Sequence, residues 1–177
     1  MSAAIAGERS SDVPCGECTA CCTASQFIHI GPDEVDALAH IPTPLLFPAP
    51  GLPAGHVLMG YDERGHCPML VEGRCTIYAH RPRTCRTYDC RVFPATGIEP
   101  DDERIAQQAR RWVFDFPTPV DQEAHDAVRA AAAALADTPA TATQRAVLAL
   151  ELHDLYLGTD PDPEAVRVEV RRRMERP

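Results

Sequence analysis

Four of the chain's eight cysteines fall in one run, Cys15-Gly16-Glu17-Cys18-Thr19-Ala20-Cys21-Cys22, and the others follow as Cys67, Cys75, Cys85 and Cys90. From Arg91 to Pro177 there is none. Thiols at this spacing are brought to one point, and the chemistry they share there is metal binding. A metal site is therefore expected to organise the N-terminal half, leaving an ordinary apolar core to organise the rest. A disulfide framework is the competing reading, and three things weigh against it. Met1 to Asp12 shows no basic start followed by an apolar run, hence no recognisable export signal. Bridges do not persist in a reducing cytosol. The adjacent pair Cys21 and Cys22 is also awkward to bridge within a regular framework.

The run has two informative halves. A Cys-x-x-Cys turn such as Cys15 to Cys18 wraps backbone amides round one metal, and Gly16 permits the tight turn. In an extended segment, neighbours point to opposite sides, so Cys21 and Cys22 are expected to reach two metals, or two metals of one cluster. Eight thiolates also exceed the four a tetrahedral centre takes. The reading is a site of more than one ion: two four-cysteine zinc or iron centres, one polynuclear cluster, or a cluster beside a mononuclear ion. Two divalent cations against eight thiolates leave four negative charges uncompensated. Arg74, Arg81, Arg83, Arg86 and Arg91 lie within a few residues of Cys75, Cys85 and Cys90, where guanidinium groups can donate to sulfur and lower a thiol pKa. About half of them are expected to pair instead with Asp62, Glu63, Glu72 or Asp89 on the surface. His66 and His80 are candidate replacement ligands, though the cysteines already suffice.

Composition narrows the function classes. A formal charge of -9 repels nucleic acid and anionic lipid, so neither partner is expected. All 17 basic residues are arginine. The lack of lysine excludes a P-loop phosphate lysine and Schiff-base chemistry. No apolar run reaches the ~18 residues needed to cross a bilayer, which predicts a soluble, cytoplasmic protein whose partners are metal ions and, in one reading, another protein.

The expected fold class is α+β and helix-rich: a small irregular cysteine-metal module with short β-hairpins, then a helical C-terminal lobe. Residues 1–14 are read as a flexible tail, 15–100 as the metal module and 101–177 as the lobe packed on it. Phe27 to Ile30 reads as a strand, and Gly31-Pro32-Asp33-Glu34 as a helix start leading into Val35, Leu38 and Ala39 and ending before Pro42. The proline-rich stretch to Gly55 reads as an extended surface loop. His56 to Tyr61 and Cys67 to Val71 are expected to form a hairpin across Asp62-Glu63-Arg64-Gly65, with a second turn, Glu72-Gly73-Arg74, leading into Cys75. Asp101-Asp102-Glu103 can start a helix through Ala109, whereas Trp112, Phe114 and Phe116 alternate as a strand would. Helices are predicted over Asp121 to Ala136, with Ala124, Val128, Ala131 and Leu135 on one face, and over Thr141 to Leu157, with Leu148, Leu152 and Leu155 on one face and Gly158 as stop. They should pair antiparallel. A last helix, Pro163 to Met174, carries Val166, Val170 and Met174 against an arginine face.

These motifs resemble a known family. Cys15-x-x-Cys18-x-x-Cys21-Cys22, Cys67-Pro68-Met69-Leu70, and Cys75-Thr76-Ile77-Tyr78-Ala79-His80-Arg81-Pro82-Arg83-Thr84-Cys85-Arg86 with Cys90 beyond are similar to the YkgJ-like cysteine-cluster (CxxCxxCC) proteins, a zinc- or iron-chelating family. The resemblance covers Cys15 to Cys90 and implies metal ligation by Cys15, Cys18, Cys21, Cys22, Cys67, Cys75, Cys85 and Cys90. The pattern is also similar to that of flagellin lysine methylases, where it is tied to an iron-sulfur cluster. Two functions follow as expectations. The favoured one is a non-catalytic metal-binding protein, with structural, carrier or sensor roles for zinc or iron. The alternative is an iron-sulfur-dependent enzyme or accessory protein for a modification reaction, with Tyr78, Arg81, Tyr88 and Asp89 as the nearest groups able to serve.

Overall fold

Ile28 and Ile30 alternate with His29, and this three-residue pattern makes the first strand among the described residues, β1 (Ile28–Ile30). The structure is a computed structural model and describes Val13, residues 15–158 and residues 161–174. Among these are five short strands and seven helices, an α+β, helix-rich chain. It divides into two compact units, Met1–Asp89 and Cys90–Pro177. The predicted N-terminal tail lies outside the described residues except for Val13, which is buried and donates its backbone N–H to Arg86 O at 2.8 Å.

In the first unit, β1 and β2 (Leu46–Pro48) flank β3 (Val57–Met59), both antiparallel to it. The register sets Ile28 and Leu46 opposite Met59, and Ile30 opposite Val57. With a side-chain period of two, these residues share one sheet face. That face meets Ala37, Ile41, Met69 and Ile77 in the unit's core, against which Cys67 and Cys75 are packed.

Two expectations are corrected here. The proline-rich stretch is not all loop, because β2 lies inside it; Pro48 is tolerated since β2 is an edge strand and needs no ladder donor on its outer side. The run from His56 does not pair with Cys67 to Val71. Asp62 to His66 forms a closed turn, but β3 pairs outward to β1 and β2, and β4 (Leu70–Val71) pairs with β5 (Arg74–Cys75). The Glu72-Gly73 turn between them has positive φ at both residues, 49° and 74°, the geometry of a primed two-residue hairpin turn.

Helix α1 (Val35–His40) forms where expected but turns a different face inward: Ala37 is buried and Val35 is 70% exposed. Helix α2 (Arg83–Thr87) is fastened to β1 by Thr84, whose hydroxyl donates to His29 O at 2.7 Å.

The second unit is built from α3 (Val92–Thr96), α4 (Glu103–Ala109), α5 (Pro119–Ala134), α6 (Ala142–Leu152) and α7 (Pro163–Met174). Local chemistry sets their starts. Asp102 caps α4 by accepting from Arg104 N and Ile105 N. Thr118 with Asp121, and Thr141 with Gln144, make reciprocal capping boxes on α5 and α6, each satisfying amides that the first turn leaves without partners. The Thr118 cap and Pro119 start α5 two residues before the expected Asp121, and α6 tightens into a 3-10 turn over His153–Tyr156 instead of running to Leu157. Ala131, Ala132 and Leu135 pack against Leu148, Ala149 and Leu152, joined by Leu155 and Val170; the alanines let the two helices approach closely. The alternation of Trp112, Phe114 and Phe116 does not become a strand. Phe114 and Phe116 instead pack round His125, with ring centroids at 6.2 and 4.5 Å.

Candidate metal centre

The cysteines of the first unit are positioned by turns, a hairpin and one long-range backbone bond. The Cys15 to Cys18 turn is closed by Cys18 N–H donating to Cys15 O at 3.0 Å, with Gly16 at φ +57°, a conformation that favours glycine. Cys21 and Cys22 are not in extended chain. They begin a 3-10 turn, Cys21–Thr23, pinned by the Thr23 hydroxyl on Thr19 O and Ala20 O. The premise that they face opposite sides therefore fails, and both line the same cavity. Cys67 is tied to the run by its N–H donating to Cys22 O at 2.7 Å. Cys75 sits opposite Leu70 on the β4–β5 hairpin, and Cys85 lies in the single turn of α2.

These seven cysteines surround one cavity of about 620 Å³ within the first unit. Apolar walls come from Ile28, Met59, Met69 and Ile77; polar lining groups include Gln26, Thr84, Tyr88, Arg74 and Arg81. Cys90 is half-buried at the start of the second unit and is not among the lining residues. None of the eight is in a disulfide.

The walls tune the thiols unequally. Burial pushes the Cys85 thiol up to about 12, and the facing thiols of Cys67, Cys21 and Cys75 add to it. Burial also raises Cys67. Cys21 is lowered to about 7, chiefly by a hydrogen bond from Cys22, whose own pKa rises because it holds the shared proton. The Arg81 charge lowers both Cys21 and Cys85. Its Nε donates to Tyr78 O at 2.8 Å and its guanidinium lies over the Tyr78 ring, 3.6 Å from the centroid. Cys21 is thus poised to ionise near neutral pH, whereas Cys22, Cys67 and Cys85 give up protons only in exchange for a cation.

The predicted arginine set divides. Arg74 and Arg81 line the cavity. Arg83 pairs with Asp33 and Glu34, Arg86 exerts its charge on Asp36, and Arg91 lies over the Trp112 ring. Neither His66 nor His80 lines the cavity. Of the groups singled out for an enzymatic reading, Tyr78, Arg81 and Tyr88 line it and Asp89 is buried outside the lining. Sequence reading overlooked Gln26, Thr84 and the two methionines. Thr84 could have been found from its place inside the Cys75 to Cys85 motif.

A thiol-walled cavity with no disulfide has the donor set of a soft-metal chelator. The chain belongs to the CxxCxxCC family, described as "Putative zinc- or iron-chelating domain", whose family model matches residues 14–111, more than half of its length. No curated protein and no solved structure matches it. Among the described residues no helix is long and apolar enough to cross a membrane.

Proposed function

We propose that this protein holds more than one zinc or iron ion in the cysteine cavity, through thiolates of Cys15, Cys18, Cys21, Cys22, Cys67, Cys75 and Cys85. The observation that carries the reading is that seven thiols line one cavity, three more than a single tetrahedral ion accepts. Cys90, the eighth ligand on the family resemblance, is no part of this wall, and the reading rests on the other seven. Arg81, and Arg74 with it, offsets the negative charge that so many thiolates collect. The role is non-catalytic: the metal staples a unit of very short elements and is held as structure, cargo or signal. The reducing cytoplasm, where thiols stay available to metal, is the compartment that suits it.

A second reading draws on Tyr78, Thr84, Tyr88 and Arg81 lining the same cavity. In it an iron-sulfur cluster serves a modification reaction, with these side chains orienting a substrate beside it. Anaerobic purification, elemental analysis and an absorption spectrum separate the two. Colourless protein with two or more zinc per chain supports the first reading, and brown protein with acid-labile sulfide supports the second. In either case Cys21→Ser and Cys22→Ser should each lower metal content. Full stoichiometry in both variants would sink the cavity as the metal site.

A further inference from the structure

His40 lies four residues after Asp36, so α1 presents both on one face. The 3-10 turn Tyr78–His80 brings His80 to the same place from 44 residues away in the chain. One carboxylate oxygen of Asp36 and one ring nitrogen from each histidine all lie within 4.8 Å of one another, and among the described residues no other group of three metal-capable side chains does so. His80 Nδ1 is 2.9 Å from Asp36 Oδ2, and His40 Nδ1 is 3.7 Å from Asp36 Oδ1 and 2.8 Å from Asp36 O. The imidazole rings are stacked, 3.5 Å apart and within 6° of parallel.

We propose that Asp36, His40 and His80 form a divalent transition-metal site of the zinc class, separate from the cysteine cavity. Two imidazoles and one carboxylate are a three-ligand set suited to zinc, nickel or ferrous iron, and unlike the thiolate cavity they bind without sulfur. Round a tetrahedral ion with metal–nitrogen and metal–oxygen bonds of about 2.0 to 2.2 Å, ligand atoms stand about 3.4 Å apart; the 2.9 and 3.7 Å separations bracket that distance, and the stacked rings turn to aim their nitrogens at the ion. Asp36 and His40 are exposed and His80 half-buried, so water completes the coordination and the ion exchanges readily. The surrounding charges are mixed. Arg86 places positive charge near Asp36, which weakens the site, and the neighbouring carboxylates Asp33 and Glu34 are occupied by Arg83. The site therefore rests on its three ligands and is much weaker than a thiolate centre. Its position gives it a use: the turn that supplies His80 also carries Tyr78, and Arg81 follows it, both in the wall of the cysteine cavity.

The test is a Zn²⁺ titration of the full-length protein, purified with the metal it carries, read by calorimetry and by the imidazole nitrogen resonances. One exchangeable equivalent should bind, moving His40 and His80 and leaving His125 and His153 in place. His80→Ala and His40→Ala should each weaken it about ten-fold or abolish it, while the tightly held, cysteine-dependent metal stays as in the parent. His40 is exposed, so its variant leaves the fold intact. Absence of an exchangeable equivalent, or uptake equal to the parent's in both variants, overturns the site without touching the cysteine cavity, whose metal content is read separately.

Discussion

The two units solve the same problem with different means. The second buries Ala131, Leu135, Leu148, Ala149 and Leu152 between capped helices of up to sixteen residues, and each helix satisfies its own backbone. The first has strands of two or three residues, a core of six buried residues and seven half-buried thiols round a cavity. Helices that bond internally need only a shared apolar face to hold them. Strands this short have no independent stability, and a cavity at their centre subtracts further contacts. On the proposed function, metal–thiolate bonds supply what the first unit lacks in regular structure.

Prolonged chelation therefore provides the sharpest contrast. Structural zinc in small thiolate sites is worth roughly 10–16 kcal/mol of folding free energy, so amide protection around Cys67 to Cys85 should collapse while most helical circular dichroism survives. Loss of all helix on metal removal would show that the units unfold as one and would break the comparison.

The converse change is Leu152→Ala, at a side chain with 0% exposure in the second core. It should cost about 2–5 kcal/mol there and leave metal content unchanged. Metal loss in this variant would again argue for one cooperative unit.

Arg81→Gln acts on the first unit alone. Without the guanidinium, Cys21 and Cys85 hold protons more tightly, so acid should displace metal at a pH higher by about one unit. An unchanged acid-release curve would remove Arg81 from the charge balance.

Thr141→Ala deletes one capping box and should lower second-unit stability by about 1 kcal/mol, measured by denaturant unfolding, with no effect on metal.

The smallest effect is expected on α7. Arg172 and Arg173 hold the Glu169 carboxyl down at about 2, below its ordinary 4.5. Because the folded value is the lower one, the contribution is complete above 4.5 and is lost as pH falls toward 2. Glu169→Gln should flatten the pH dependence of α7 amide exchange in that window; an unaltered profile would show that these ion pairs do nothing for the helix.

The features legible in the sequence were those decided within a few residues. Thr141 and Asp102 mark helix starts by their own chemistry, the apolar positions of α5 and α6 recur at the helical period, and Pro163 to Met174 is found at both expected ends, whereas the Thr118 cap that starts α5 went unread. The thiol cluster was legible for the same reason, since four of its members lie within eight residues. What required tertiary structure was every feature held from a distance. β2 exists inside a proline-rich stretch because β3 pairs with it; a three-residue strand has no hydrogen bonds of its own by which to announce itself. The Cys21–Thr23 turn is pinned locally by Thr23, but its place beside Cys67, forty-five residues on from Cys22, is fixed by the Cys67 N–H on Cys22 O. Trp112 to Phe116 alternates like a strand, but Phe114 and Phe116 are drawn to His125, and Asp36 meets His80 only because α1 and the Tyr78–His80 turn are packed together. Local hydrogen bonds and helical periods are written into adjacent residues, whereas strand partners and gathered side chains are chosen by whichever distant surface completes their burial.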